Sequence, residues 1–257
     1  MTTTNHIQFF LRIPVAAILL GLVSACTTMP EQTLQEEPAR HAVKDVVRDD
    51  VNYAVDVYDP WEPMNRRIYN FNTKFDRYIF LPVVSAYEFV LPNFVEDGIS
   101  NVFSNIGELE NFINSVLQLK PEPTFTALGR FLINTTAGVA GLWDPATKMG
   151  IDEWDEDFGQ TLGRYGVGDG PFLVLPIFGP SNLRDTAGLV ADSAMFSAID
   201  PFDFDDKNDD WEAPYYLLNA IDKRHRTAFR YYETGSPFEY ELIRLLYGKA
   251  RQLEISK

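Results

Sequence analysis

The spacing of apolar residues after position 59 is helical. Ile68, Phe71, Phe75 and Tyr78 recur at steps of three and four residues, which places them on one face of a helix. Strand-like alternation is almost absent, and prolines and glycines separate the periodic segments. The pattern therefore predicts a single all-α domain built from short amphipathic helices.

The same periodicity predicts several further helices, at residues 83–91, 96–103, 108–119, 123–136 and 183–194. Ser181 can cap the last of these. A longer helix, capped by Asp209 or Asp210, would follow, and its apolar face would comprise Trp211, Tyr215, Leu218, Phe229 and Tyr232. A final helix would open at Ser236-Pro237, since proline is favoured in the first helical turn.

Residues 165–180 (YGVGDGPFLVLPIFGP) depart from this pattern, because glycines and prolines surround an apolar run. One interpretation is a buried loop. The other is a glycine-hinged hairpin whose apolar tip lies against lipid and gates its passage. The hinge and gate would then consist of Gly166, Gly168, Gly170, Phe172, Leu173, Leu175, Pro176 and Phe178. A strand containing Pro176 would have to lie at a sheet edge.

Residues 1–26 have the form of a lipoprotein signal. An apolar stretch over 13–20 precedes Ser24-Ala25-Cys26, and small residues before a cysteine suit lipoprotein signal peptidase. The stretch is too short for a comfortable membrane span. An ordinary secretory signal beside a free thiol, or a short hydrophobic anchor, is the alternative. The prediction is a signal peptide (1–25), a lipidated N terminus at Cys26 with a flexible tether (26–58) and a folded domain (59–257).

Composition narrows the class of partner. The formal net charge is −15 at pH 7, which argues against nucleic acid and against simple electrostatic docking on anionic lipid. Aromatic residues make up 14% of the chain, and such side chains suit both protein cores and membrane interfaces. Composition therefore disfavours nucleic acid as a partner and leaves both roles open for the aromatic residues.

The sequence carries no enzyme signature. The three histidines, His6, His41 and His225, fall in the predicted signal, tether and a helix, so they do not form a metal cluster. There is no G-x-S-x-G nucleophile elbow and no second cysteine. The glycines of 166–170 lack the G-K-[ST] ending of a phosphate loop, and the acidic run 203–210 lacks the glycine of a calcium loop. We therefore expect no catalysis, metal or cofactor.

Four stretches, in this order behind the signal, resemble the MlaA/VacJ family of outer-membrane lipoproteins. They are 59–66 (DPWEPMNR) with Phe71-Asn72 and Asp76, then 105–118 (NIGELENFINSVLQ), 130–144, and 157–185 with its DFGQTLG and YGVG runs. Gly107 and Leu109 stand near where the family usually has a leucine and a proline. Thr27 after the cysteine resembles the sorting signal for the outer membrane.

The resemblance implies a ring-like, all-helical protein in the inner leaflet of the outer membrane, lipid-anchored on the periplasmic side. Such proteins pass misplaced phospholipids from the outer leaflet through a central channel to a soluble periplasmic carrier, MlaC. Trimeric porins hold them in place, and no cofactor is implied. Two other functions stay open: a lipid-anchored scaffold that binds porins without moving lipid, and a phospholipase-like enzyme.

The resemblance also singles out motif residues with structural roles: Asp59, Pro60, Glu62, Asn65, Arg66, Phe71, Asn72, Asp76, Arg130, Asn134, Gly159, Gln160, Thr161, Arg184 and Asp185. We expect Asn65, Arg66 and Asn72 to stabilise the fold through hydrogen bonds more than to contact substrate. Because arginine pairs well with carboxylates, Asp76 or a later acid such as Asp185 is the predicted partner of Arg66. The sequence does not identify the residues that line the pore.

Overall fold

The computed structural model describes residues 57–200, 211–233 and 238–257. Helices dominate this part of the chain, which confirms the all-α prediction, and two short strands form a hairpin. The elements are α1 (Glu62–Phe75), α2 (Leu81–Val90), α3 (Asn93–Leu117), α4 (Pro121–Thr136), α5 (Pro145–Lys148), α6 (Phe158–Arg164), β1 (Phe172–Leu175), β2 (Gly179–Asn182), α7 (Leu183–Ile199), α8 (Glu212–Arg226) and α9 (Glu239–Ser256). A π-helical turn, Asp76–Phe80, joins α1 to α2.

Several predictions fall outside the described residues. They concern the signal peptide, the lipidation site Cys26 and nearly all of the tether. The predicted start signals of the last two helices, at 209–210 and 236–237, also lie outside.

Helix α3 is one continuous helix of 25 residues, so the prediction of two helices at 96–103 and 108–119 was wrong. Gly107 lies inside it, and a β-carbon there would meet no atom within 4 Å. An internal glycine costs a helix about 1 kcal/mol relative to alanine. The extensive packing of α3 against α4 outweighs that cost. The turn between them places Leu119 in the left-handed region, with φ of 56°.

The helix boundaries correct two further predictions. The N-cap of α7 is Asn182 rather than Ser181, because the Asn182 side chain accepts a 2.7 Å hydrogen bond from the Asp185 backbone. Helix α8 ends at Arg226. Phe229 and Tyr232 therefore lie beyond its end and not on its apolar face.

Residues 172–182 form an antiparallel hairpin in which Phe172 pairs with Asn182 and Leu175 pairs with Gly179. Pro176 lies in the connection, where its missing N–H interrupts no ladder. Phe172 and Val174 are buried with Tyr69 of α1 and Tyr240 of α9 in a small apolar cluster. The segment is thus a hairpin with a buried first strand and a connection that turns outward.

Candidate functional site

Polar side chains fill most of the interior. Among the described residues, eight apolar or tyrosine side chains are buried, against 25 polar or charged ones. Soluble domains show the opposite balance, since charged residues are rarely buried unless paired. On α1 the buried residues are Asn65, Tyr69 and Asn72, while Phe71 is exposed. The interior of this protein is therefore held by hydrogen bonds and ion pairs.

Large apolar side chains cover much of the outside. Phe89 is 90% exposed and Phe178, in the hairpin connection, is 72% exposed. Other exposed apolar residues on α3, α4 and the loops include Phe94, Leu119, Phe125, Leu132, Trp143 and Met149. Patches of this kind mark contact with lipid or with another protein.

The length and hydropathy of a helix decide whether it can cross a membrane. Over residues 57–200, 211–233 and 238–257, no single helix is long and apolar enough to be a membrane span. The pair Glu62–Val90 and Asn93–Leu117 meets that criterion when taken together, and the two parts are bent by 119° at the break.

Two asparagines of α1 hold the hairpin. Asn65 donates to the Phe172 carbonyl and accepts from the Val174 amide, both at 2.9 Å. Two turns later, Asn72 donates to the Leu175 carbonyl at 2.9 Å and accepts from the Ile177 amide at 2.8 Å. The side-chain amides thus take the place of a neighbouring strand. This geometry agrees with the expectation that both asparagines act through hydrogen bonds.

A second polar centre surrounds Arg130, which is 1% exposed. Its guanidinium pairs with the buried Glu108 of α3 and donates to the Ile151 carbonyl and to Asp144. Asn134, one turn later, donates to Asp144 at 3.0 Å. The motif residues Arg130 and Asn134 therefore join α3 and α4 to the segment around α5.

A third centre joins α6, α7 and α9. Arg251 contacts both oxygens of Asp157, at 2.7 and 2.8 Å, and donates to Asp185 at 2.9 Å. Burial would raise the pKa of Asp185, but hydrogen bonds from Arg251 and Tyr247 outweigh it and lower that pKa. A β-carbon on Gly159 would lie 2.6 Å from an Asp185 oxygen, so this position demands glycine.

Arg66 pairs with two glutamates, one of them far along the chain. It pairs with Glu62 at 2.7 Å and with Glu241 of α9, and it lies 4.2 Å above the Tyr240 ring. Asp76 instead pairs with Arg224 of α8. Neither Asp76 nor Asp185 pairs with Arg66, but a later acid, Glu241, does, because α9 packs beside α1.

The remaining motif residues also make interior contacts. Asp59 accepts from Asn65 at 2.8 Å and from Tyr240 at 2.6 Å. The Thr161 hydroxyl donates to Asn114 at 3.0 Å, and Arg184 pairs with Asp185 and Asp169. Pro60 lies in the turn before α1.

The predicted hinge glycines precede β1. Gly166 and Gly170 have positive φ, at 86° and 68°, a region that glycine tolerates best. Gly168 has open space around its α-carbon, as does Gly166, whereas a β-carbon on Gly170 would lie 3.1 Å from Leu183. Hydrogen bonds from Asn65 and Asn72 hold the strand that follows these glycines. Movement of the hairpin about the glycines stays a prediction.

Three exposed charged side chains, each from a different part of the fold, interact through space. Glu110 of α3, Asp155 before α6 and Lys223 of α8 are all exposed, yet their charges interact. Protein mass around Glu110 limits its hydration, and this desolvation raises its pKa to about 7, with Asp192 adding to the effect. Desolvation, followed by the nearby Asp157, also raises the pKa of Asp155. No local sequence motif marks Glu110, Asp155 or Lys223.

The polar stripe of α9 was also missed. Tyr240, Arg244, Tyr247 and Arg251 recur at steps of four, three and four residues, which is a helical face. Asp59 accepts hydrogen bonds from the first two, and Asp185 accepts from the last two. The periodic signal is present in the sequence, although the predicted helix was defined by its apolar positions alone.

The chain was compared with known proteins. The family model described as MlaA lipoprotein matches residues 57–254. An uncharacterized protein of Rickettsia felis is 38% identical over 207 residues, covering 79% of this chain and 80% of that protein. The intermembrane phospholipid transport system lipoprotein MlaA of Haemophilus influenzae is 32% identical over 170 residues, covering 65% and 66%.

A solved structure, from work on the structural basis for maintenance of bacterial outer membrane lipid asymmetry, is also similar. It superposes with a TM-score of 0.62 at 30% identity and covers 77% of this chain and 98% of that one. The match to an uncharacterized protein of Rickettsia prowazekii, at 38% identity, spans 62% of the length of each protein. The family model spans most of this chain, and the chain therefore belongs to the MlaA lipoprotein family.

Proposed function

We propose that this protein is an outer-membrane lipoprotein that removes mislocalised phospholipids from the outer leaflet and thereby maintains lipid asymmetry. Lipid would pass through a central polar channel to a soluble periplasmic carrier such as MlaC. The observation that carries the proposal is the reversed polarity of the fold, with 25 polar or charged side chains buried and large apolar ones exposed. The relatives named for phospholipid transport support the same assignment.

The reversed polarity suits this task physically. A phospholipid needs hydrated polar groups along the path of its headgroup and an apolar environment for its tails. The exposed apolar residues on α3 and α4 would lie against acyl chains. The exposed and interacting charges of Glu110, Asp155 and Lys223 would lie along the headgroup path.

The finer assignments concern anchoring, partners and movement. We propose that a diacylglycerol on Cys26 leashes the domain to the periplasmic side of the outer membrane, and that trimeric porins hold it by its exposed apolar surface. Gly166, Gly168 and Gly170 would let the hairpin of residues 172–182 move and gate lipid passage. We propose no catalytic activity, since the relatives are named for transport.

A transfer assay tests the function against the two alternatives. Purified lipidated protein is placed in vesicles containing radiolabelled phospholipid, and a soluble lipid-binding acceptor is added. Appearance of intact labelled lipid on the acceptor supports transport. Porin binding without transfer would support the scaffold, and release of free fatty acid would indicate a phospholipase.

A further inference from the structure

The end of helix α8 lies against the bend between α2 and α3. This bend of 119° lies at residues 91–92, and we call it the elbow. His225, in the last turn of α8, contacts both sides of the elbow. Its Nδ1 lies 2.9 Å from Glu88 in the last turn of α2, and its Nε2 lies 3.7 Å from Glu96 in the first turn of α3. One imidazole thus lies between a carboxylate from each arm of the elbow.

The two contacts of this imidazole differ in kind. The 2.9 Å contact with Glu88 is a hydrogen bond, whereas 3.7 Å is too long for a hydrogen bond to Glu96. Glu96 is only 7% exposed, and its other oxygen, Oε1, has no hydrogen-bond partner in the part of the chain that the structure describes. A buried carboxylate without a donor is costly. A neutral imidazole has one N–H and can serve one glutamate, but an imidazolium has two and can serve both.

The other groups around the imidazole leave a negative charge uncompensated. Tyr87 of α2 packs against it, with 5.7 Å between the ring centroids. Asp222, one turn earlier on α8, already pairs with Arg226 at 2.9 Å. Burial, followed by the charges of Asp222 and Glu96, raises the pKa of Tyr87 to about 12. Among the described residues, Glu96 forms no ion pair with a lysine or an arginine, so His225 is the group that can neutralise it.

We propose that His225 is a pH-dependent clamp that closes on the elbow when its imidazole becomes charged. Nδ1 then donates to Glu88 and Nε2 donates to Glu96, so that one side chain ties α8 to both arms. Histidine is the side chain that ordinarily changes charge between about pH 5 and 8. The closed elbow offers the second proton a buried carboxylate and the open elbow does not, so acid favours the closed form. The C-terminal end of a helix also favours a positive charge.

The clamp controls how firmly an apolar edge of the protein is held. Phe89, Val90 and Phe94 flank the elbow and are largely exposed. With the clamp closed, these side chains keep one direction relative to α8. With it open, the two arms are joined to α8 by one hydrogen bond fewer and the edge moves more freely. The clamp is a property of the fold and does not depend on lipid transfer.

Hydrogen exchange of the full lipidated chain in detergent micelles tests the clamp. Protection of the amides of residues 88–96 is measured at pH 5.5 and pH 8.0, corrected for the intrinsic exchange rate at each pH, and compared with protection in α4. We expect the elbow to be about fivefold better protected at pH 5.5, which corresponds to about 1 kcal/mol for a partly exposed ion pair. Equal protection at the two pH values in the unchanged protein would overturn the proposal.

Variants assign the pH dependence to the clamp. His225→Gln keeps an N–H for Glu88 but takes up no proton, so protection of the elbow should no longer depend on pH. Glu96→Gln removes the buried charge and should bring the ratio of protection close to one, and it carries the test alone if His225→Gln does not fold. Glu122→Gln makes the same change at an exposed position in the first turn of α4 and should keep the fivefold ratio. A ratio that survives in folded His225→Gln or Glu96→Gln would refute the clamp.

Nuclear magnetic resonance of protein labelled with ¹⁵N-histidine follows the imidazole itself. The signals of His225 are those missing from His225→Gln. At pH 5.5 we expect both ring nitrogens to carry protons, with the Nε2 proton exchanging at least tenfold more slowly than in free histidine. A charged ring whose Nε2 proton exchanges as fast as in free histidine would show that Glu96 does not accept it, and would contradict the proposal.

Discussion

Asn72 and Leu175 lie 103 positions apart in sequence, yet the Asn72 side-chain amide donates a 2.9 Å hydrogen bond to the Leu175 carbonyl. Its oxygen accepts from the Ile177 amide at 2.8 Å, and Asn65 repeats the arrangement two turns earlier on the same helix. Because Asn65 and Asn72 are seven residues apart, they lie about 10.5 Å apart along one face of α1. That face acts as the third strand of the hairpin.

Replacing Asn72 by alanine should loosen the hairpin locally. Two hydrogen bonds disappear and the Ile177 amide loses its partner, so we expect a loss of about 2 kcal/mol in the free energy of unfolding. Hydrogen exchange at the Ile177 amide should accelerate more than exchange in α4. Asn70→Ala makes the same change at an exposed position of α1 and serves as control. Equal exchange at Ile177 in both variants would contradict the role given to Asn72.

Replacing Arg130 by alanine should be severely destabilising. The change leaves Glu108, which is fully buried, as an unpaired charge, and such changes cost about 3–5 kcal/mol. Arg66→Ala is the matched control. The ion pairs of Arg66 are partly exposed, so this replacement should lower the free energy of unfolding by at most about 1 kcal/mol. Denaturant unfolding of both variants measures the difference. The double variant Arg130→Met, Glu108→Gln should recover part of the loss, and no recovery would argue against the buried charge as the cause.

The pKa of Glu110 predicts a pH dependence of stability. Its folded pKa is about 7 and the ordinary value is 4.5, so between these values the folded protein binds more protons than the unfolded chain. The contribution of Glu110 to stability therefore falls as pH rises from about 4.5 to 7. Glu110→Gln should raise the melting temperature at pH 7.5 and leave it nearly unchanged at pH 4.5. If the melting temperatures of the variant and of the unchanged protein differed by the same amount at every pH in this window, the raised pKa of Glu110 would be refuted.

Replacing Cys26 by alanine should abolish stable residence in the outer membrane. Without the thiol no diacylglycerol is attached, and the apolar surface alone supplies part of the membrane affinity. Membrane fractionation and mass measurement of the N terminus check this. Full membrane retention of a chain with an unmodified N terminus would contradict the anchor.

Much of the helical architecture was readable from the sequence, and the exceptions have physical reasons. Pro92 ends α2 because the residue before a proline is driven to extended backbone, and Leu91 has ψ of 135°. Gly107 was treated as a break, but it has open space around it and packing between helices decides the outcome. Local sequence cannot report that packing.

The interior was harder to predict because its polarity is reversed. The apolar periodicity from Ile68 onward identified α1 and the π-helical turn after it, but Phe71 and Tyr78 are exposed. The buried positions of α1 are two asparagines and a tyrosine. The partner of Arg66 depended on the placement of α9, 175 residues away in sequence. The interaction of Glu110, Asp155 and Lys223 requires three parts of the chain to converge, which no local motif encodes.

The most direct test of the proposed function measures lipid transfer from vesicles that contain the purified protein to a soluble acceptor. Lipidated protein in vesicles with radiolabelled phospholipid is incubated with a soluble acceptor, and intact label on the acceptor is counted against vesicles lacking the protein. The account predicts protein-dependent transfer of intact phospholipid, reduced in Asn72→Ala and unaffected in Asn70→Ala. Transfer no faster than in protein-free vesicles, from protein shown to be folded and lipidated, would contradict it.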